Sequence, residues 1–119
     1  MKFDNMINEL FIRFPMLKSV YESEGDYIKD LSHLCYSIVF VPFIRQIVLT
    51  KDERAIRKIC DFMECMETSE DEKVSELLGA SVLENILSER ELIGSLKPYL
   101  GTETLKLLSL MEKETGWSK

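Results

Sequence analysis

No stretch of this chain alternates apolar and polar residues with a period of two, whereas most of it repeats apolar residues every three or four positions. Ile28, Leu31, Leu34, Cys35 and Ile38 fit one helical face. Ile56, Ile59, Cys60 and Met63 fit a second, Val74, Leu77, Leu78 and Val82 a third, and Leu105, Leu108 and Met111 a fourth. A half-buried sheet needs the missing alternation, so the core has to be built from helices. With only five Gly and three Pro, and with Leu, Glu, Lys, Met and Ile plentiful, the composition also favours helix over strand.

The breaks between these segments carry recognisable end signals. Asp4 can cap a first helix through Ile7, Leu10 and Phe11, which Pro15 ends. Leu17, Val20 and Tyr21 continue to the turn at Glu24-Gly25-Asp26. Val39, Phe40 and Val41 are strand-like by propensity but have no partner strand, so the expected form is a helix that kinks or breaks at Pro42 and resumes through Phe43, Ile44, Ile47 and Val48. Thr50 to Glu53 and Ser69 to Glu72 both match a capping box, and Thr102 is placed to cap a last helix that ends at Gly116. Between Gly79 and Leu87 the helix is apolar nearly all round, which predicts a central position for it. Glu84 lies in that stretch and must sit at a rim or find a hydrogen-bond partner. The sum is a single all-α domain over residues 1–119 with six to seven helices of about 8 to 20 residues, a compact bundle or a short α-solenoid.

Charge is distributed unevenly. Between Asp61 and Glu91 stand ten acids, Asp61, Glu64, Glu67, Glu70, Asp71, Glu72, Glu76, Glu84, Glu89 and Glu91, against only Lys73 and Arg90. That window carries −8 of a net −6, so the remainder of the chain is +2. A field of one sign attracts basic partners and repels nucleic acid and anionic lipid. Asp61, Glu64 and Glu67 fall together opposite the apolar face of their helix, and Glu70, Asp71, Glu72 and Glu76 follow in the next turn and helix. These seven are the candidate partner-binding residues.

Reactive chemistry is poorly served. His33 is the single histidine and lies roughly 200° around a helix from Cys35, while Cys60 and Cys65 are roughly 140° apart, so neither pair can act locally. The three cysteines sit in apolar-periodic segments and read as buried free thiols of a reducing compartment. Glycine-rich phosphate loops and calcium loops are not found. Arg54, Arg57 and Lys58 read as a solvated face, with Arg57 and Asp61 as an i, i+4 pair. No cofactor, no metal and no catalytic residue is expected. The apolar run Leu31–Leu49 is interrupted by Ser32, His33, Ser37, Pro42, Arg45 and Gln46 and is expected to fall short of a membrane span; no signal peptide is read, and the expected location is cytoplasmic.

Several pieces in order complete a pattern: Phe14-Pro15, a helical segment around Phe43, Phe62 and Glu64 in CDFMECM, SEDEKV with Val74, SVLENIL with Leu83 and Glu84, and a closing LKPYLGTETLKLLSLMEKE. This resembles a family of small all-helical bacterial proteins whose members look like immunity proteins of polymorphic or contact-dependent toxin systems. Pro42 departs from the more continuous helix of that pattern. The resemblance implies a protein that binds and neutralises a toxin domain from its own locus, in many systems a basic nuclease, with no chemistry of its own. A structural or adaptor protein kept soluble by its acid is the alternative, and a small enzyme ranks third.

Overall fold

The computed structural model describes residues 1–115 and is helical throughout, with no strand among the described residues. Seven helices follow one another: α1 (Met6–Arg13), α2 (Leu17–Glu24), α3 (Ser32–Thr50), α4 (Glu53–Glu67), α5 (72–86), α6 (Arg90–Leu96) and α7 (Thr102–Thr115). Short 3₁₀ turns at Phe3–Asn5, Asp26–Ile28 and Lys97–Tyr99 supply most of the remaining helical backbone. The helix count and the all-α class are as the periodicity requires. The radius of gyration, 13.6 Å, matches the roughly 13.5 Å of a compact domain of this length. Contacts between segments far apart in sequence, such as Phe14 with Phe62, close one shared core and favour the bundle over a solenoid.

Aromatic rings form the centre. Phe14, just beyond α1, lies 5.7 Å from Phe40, 5.3 Å from Phe43 and 5.9 Å from Phe62, measured between ring centroids. Phe40 meets Phe62 edge-on at 5.8 Å and Tyr36 edge-on at 5.6 Å. Tilted and edge-on arrangements suit the ring quadrupole and add about 0.5–1.5 kcal/mol per pair beyond burial. Tyr36 is fully buried and donates its hydroxyl to the Met6 carbonyl at 2.7 Å, which ties α3 to the start of α1. Three helices, α1, α3 and α4, are thus pinned at one point.

Pro42 does not break its helix. α3 runs unbroken from Ser32 to Thr50, and the segment Tyr36–Phe40 just before the proline is a π-turn in which the Val41 N–H donates to the Tyr36 carbonyl five residues back. The expected break at Pro42 is thus absent, and a widened turn directly precedes the residue that cannot donate an N–H to the helix. A second π-turn, Leu78–Leu83, lies in α5 and packs against the first. Contrary to expectation, α3 is long and apolar enough to cross a membrane by length and composition. Its Cys35, Tyr36, Val39, Phe40, Val41 and Ile44 are buried in the shared core.

Several expected helix ends are moved by a residue or two. Asp4 falls inside the first 3₁₀ turn, one residue ahead of the N-cap position at Asn5, and makes no cap. Gly25 at φ 100° and Asp30 at φ 61° keep residues 25–31 out of α3, and Asp30 donates its N–H to the Tyr21 hydroxyl. Thr50 completes α3 by donating its hydroxyl to the Ile47 carbonyl; Lys51 turns the chain at φ 56°, and Asp52, not Thr50, caps α4 by accepting the Ala55 N–H at 3.1 Å. The cap at Gly116 lies outside the described residues. Cys35 and Cys60 are buried, which pushes their thiols up to about 11 and about 12, but Cys65 is exposed.

Phe62 touches Phe14, Phe40 and Tyr36 and carries the Arg13 guanidinium 5.2 Å from its ring centroid. Truncation of Phe62→Ala is expected to cost about 3–5 kcal/mol, read as a lowered urea midpoint at an unchanged slope.

Candidate functional site

A carboxylate on a helix either faces water or must find donors, and the acid run divides on that choice. Glu64 reaches across to the start of α7. Its Oε1 accepts the Thr104 N–H at 2.9 Å and the Thr104 hydroxyl at 2.7 Å, and its Oε2 accepts the Glu103 N–H at 3.1 Å. It therefore supplies, from another helix, the N-cap that Thr102 was expected to supply from its own chain position. Thr104 is fully buried and depends on that oxygen. Gly101 makes the approach feasible, because a Cβ there would collide with the Glu64 carboxylate. Partial desolvation pushes the Glu64 carboxyl upward, but the Thr104 hydroxyl, the two N–H donors and the Lys106 charge outweigh it, and the net displacement is below the usual glutamate range.

Two further members of the candidate set are also engaged. Glu67 accepts the Ser75 hydroxyl at 2.6 Å, joining α4 to α5. Asp71 caps α5, accepting the Lys73 N–H at 3.0 Å on Oδ1, while its Oδ2 accepts the Phe3 N–H at 2.9 Å. Those donors, Phe3 before Lys73, hold its carboxyl below the usual aspartate range. The expected capping box is thus replaced by a single N-cap two residues later, and Ser69 instead accepts the Asp71 N–H and donates to the Met1 carbonyl.

Asp61, Glu70, Glu72 and Glu76 remain exposed. Asp61 stands apart from the others on the outer side of α4, where the exposed Arg54, Arg57 and Lys58 precede it. Arg57 does not pair with Asp61 as expected; it bonds Glu53 at 2.8 Å and lies 5.1 Å from the Tyr99 ring centroid. Glu72 and Glu76 belong with a residue outside the predicted set. Glu84 is exposed, because the apolar neighbours that surround it in sequence, Val82, Leu83, Ile86 and Leu87, turn to the buried sides of α5. Glu72, Glu76, Ala80 and Glu84 recur every four residues on the solvent side of one helix. A regular helix would rotate such a series by about 40° per step. The π-turn, closed by the Glu84 N–H on the Gly79 carbonyl, holds an extra residue and reduces that drift. None of the three glutamates enters an ion pair with the described residues. Glu89, in contrast, is held by Arg45 through bonds of 2.8–3.0 Å.

Where the two π-turns cross, the packing is polar. The Ser81 carbonyl accepts from Ser37 and Asn85, and the His33 Nδ1 meets the Ser81 hydroxyl. Ser81 itself is buried, and the pair joins α3 to α5. Among the described residues no three His, Cys, Asp or Glu side chains gather as metal ligands. The exposed acid of α5 forms a line on one side of the helix, whose opposite side is buried in the core.

Comparison with known proteins places this architecture in a family. Residues 7–117 match a family described as a domain of unknown function, DUF7674. The chain belongs to the DUF7674 family. No curated protein and no solved structure matches it. What this DUF7674 domain does has therefore to be argued from its own surface.

Glu64→Ala is expected to lower stability by about 1–2 kcal/mol, the size of a lost helix cap. Gly101→Ala should cost a similar amount by displacing the same carboxylate, and the double variant should cost little more than either, since both remove one interaction. Because the folded pKa of Glu64 is depressed, its contribution is fully present above the ordinary glutamate pKa and is lost as pH falls through the folded value. Urea unfolding of the wild type and the Ala variant should therefore converge at low pH.

Proposed function

We propose that this DUF7674 domain is an immunity-type binding protein that neutralises a basic toxin domain encoded in its own locus, acting in the cytoplasm by covering the toxin's active site or substrate surface. A nuclease fits best, since enzymes that handle nucleic acid carry basic surfaces. The observation that carries this reading is the line Glu72, Glu76 and Glu84, exposed along one helix and without ion pairs among the described residues. Rigidity supports it too. α5 is anchored beneath that line by Val74, Leu77, Leu78, Val82 and Ile86, all fully buried, so the charges are presented without a large ordering cost on binding.

Such a line acts mainly through long-range attraction. Exposed carboxylates contribute little each, but a row of one sign accelerates encounter with a basic partner and loses that advantage as salt screens it. Glu64 and Glu67 serve the fold, as does Asp71 through its Oδ1, and reversing them would confuse lost binding with lost structure.

The test is the triple change Glu72→Lys, Glu76→Lys and Glu84→Lys, with helicity checked by circular dichroism. Association with the toxin domain from the adjacent reading frame should slow by about tenfold or more at low ionic strength, and the wild-type rate should fall steeply with added salt. Unchanged association and unchanged protection of toxin-expressing cells would sink the proposal.

A further inference from the structure

The first residues of the chain cross the turn between α4 and α5. The Ser69 hydroxyl donates to the Met1 carbonyl at 2.9 Å, and the Phe3 N–H donates to Asp71 Oδ2 at 2.9 Å. Farther along, the Phe3 ring leans on the His33 imidazole with centroids 5.8 Å apart. Nothing in the Phe3–Asn5 turn is buried. Two hydrogen bonds, one ring contact and the partial burial of Met1 and Phe3 against the core hold the segment, fewer contacts than fix the helices, which puts it towards the weakly held end of the fold.

What it covers is the beginning of the acidic surface. Lys2 and Arg13 line one open groove of about 740 Å³ together with Thr68, Glu70 and Asp71. Lys2 is close enough to act on the Asp71 carboxylate through its charge. The segment thus offers Asp71 an N–H donor and a nearby cation, which is the chemistry a basic protein partner would offer. Asp71 needs only Oδ1 to cap α5; Oδ2 is engaged by the strap alone. Removing the strap would leave the helix capped and one more carboxylate oxygen open, next to Glu70 and Glu72.

We propose that residues 1–5 are an autoinhibitory strap that occupies the Asp71 end of the acidic surface and is displaced when a basic protein partner docks there. The inference rests on the reading of that surface as a partner site. A strap that must open before docking lowers the observed affinity by the fraction of molecules in which it is open, so weakening the strap should tighten binding.

Phe3→Pro in the full chain removes the N–H donor while keeping the backbone feasible, because Lys2 already has the extended geometry favoured before proline (φ −121°, ψ 143°). Phe3→Ala, which loses the ring but keeps the donor, is the control. With a decalysine peptide as probe at low ionic strength, Phe3→Pro should bind at least about threefold more tightly than Phe3→Ala. In the wild type the Phe3 amide should be protected from hydrogen exchange when free and lose that protection when saturated with peptide. Equal affinity of the two variants, or a Phe3 amide still protected in the saturated complex, overturns the strap. If the peptide binds the wild type and not the Glu72/Glu76/Glu84 reversal, the surface reading survives either result. Failure of the peptide to bind any form overturns both.

Discussion

Glu64 stands in the last turn of α4, and its carboxylate ends at the first turn of α7, where it satisfies two backbone N–H groups and the hydroxyl of a buried threonine. The position of the last helix depends on that contact. So does the absence of a side chain at Gly101, which leaves room for the carboxylate. A helix start is four unsatisfied donors with a positive dipole, and a carboxylate is the group best suited to meet both. The same requirement recurs at Asp52 and Asp71, which hold the starts of α4 and α5. Three helices of this bundle thus begin on a carboxylate, and acid that looks like surface charge in the sequence is partly the fold's own fastening.

The aromatic cluster supplies the complementary constraint from inside. Phe14, Phe40, Phe43 and Phe62 draw the end of α1 and the middles of α3 and α4 to one point. Once α4 is rotated to bury Phe62 and Met63, Glu64 and Glu67 are carried towards α7 and α5, and Asp61 and Cys65 face outward. Core packing therefore decides which acids are consumed by the fold. Of the remainder, Glu72, Glu76 and Glu84 lie along α5, the helix on which the proposed binding function rests.

How much of this was legible in the sequence follows from the range of the forces involved. Helix class and helix faces are set by local periodicity, and they could be read directly. The caps were legible in kind but not in place: Thr50 and Ser69 match the capping-box pattern, yet Asp52 and Asp71, two residues later, do the capping, because a preceding helix and a crossing segment claim the hydroxyls. At Pro42 the missing N–H is a local fact, but the π-turn that precedes it, with Tyr36, Val39 and Phe40 buried in the core, has no mark in the sequence. Glu64 has no local signal, since its partners lie 39 and 40 residues away; the trace it leaves in the sequence is Gly101 just before Thr102 and Thr104. Glu84 was hidden by its apolar neighbours, although its spacing of four and eight from Ala80 and Glu76 marks the same solvent side.

The central claim is that the acidic run consists of carboxylates with two different duties, and paired neutral substitutions separate them. Thermal unfolding of a Glu64→Gln, Glu67→Gln, Asp71→Asn variant can be compared with that of an Asp61→Asn, Glu76→Gln, Glu84→Gln variant at neutral pH. Each removes three negative charges, so net charge is matched. The first should lose roughly 10 °C in Tm through its weakened caps, and the second should stay within about 2 °C of the wild type. Equal losses, or a larger loss in the second, would contradict the division on which this account stands.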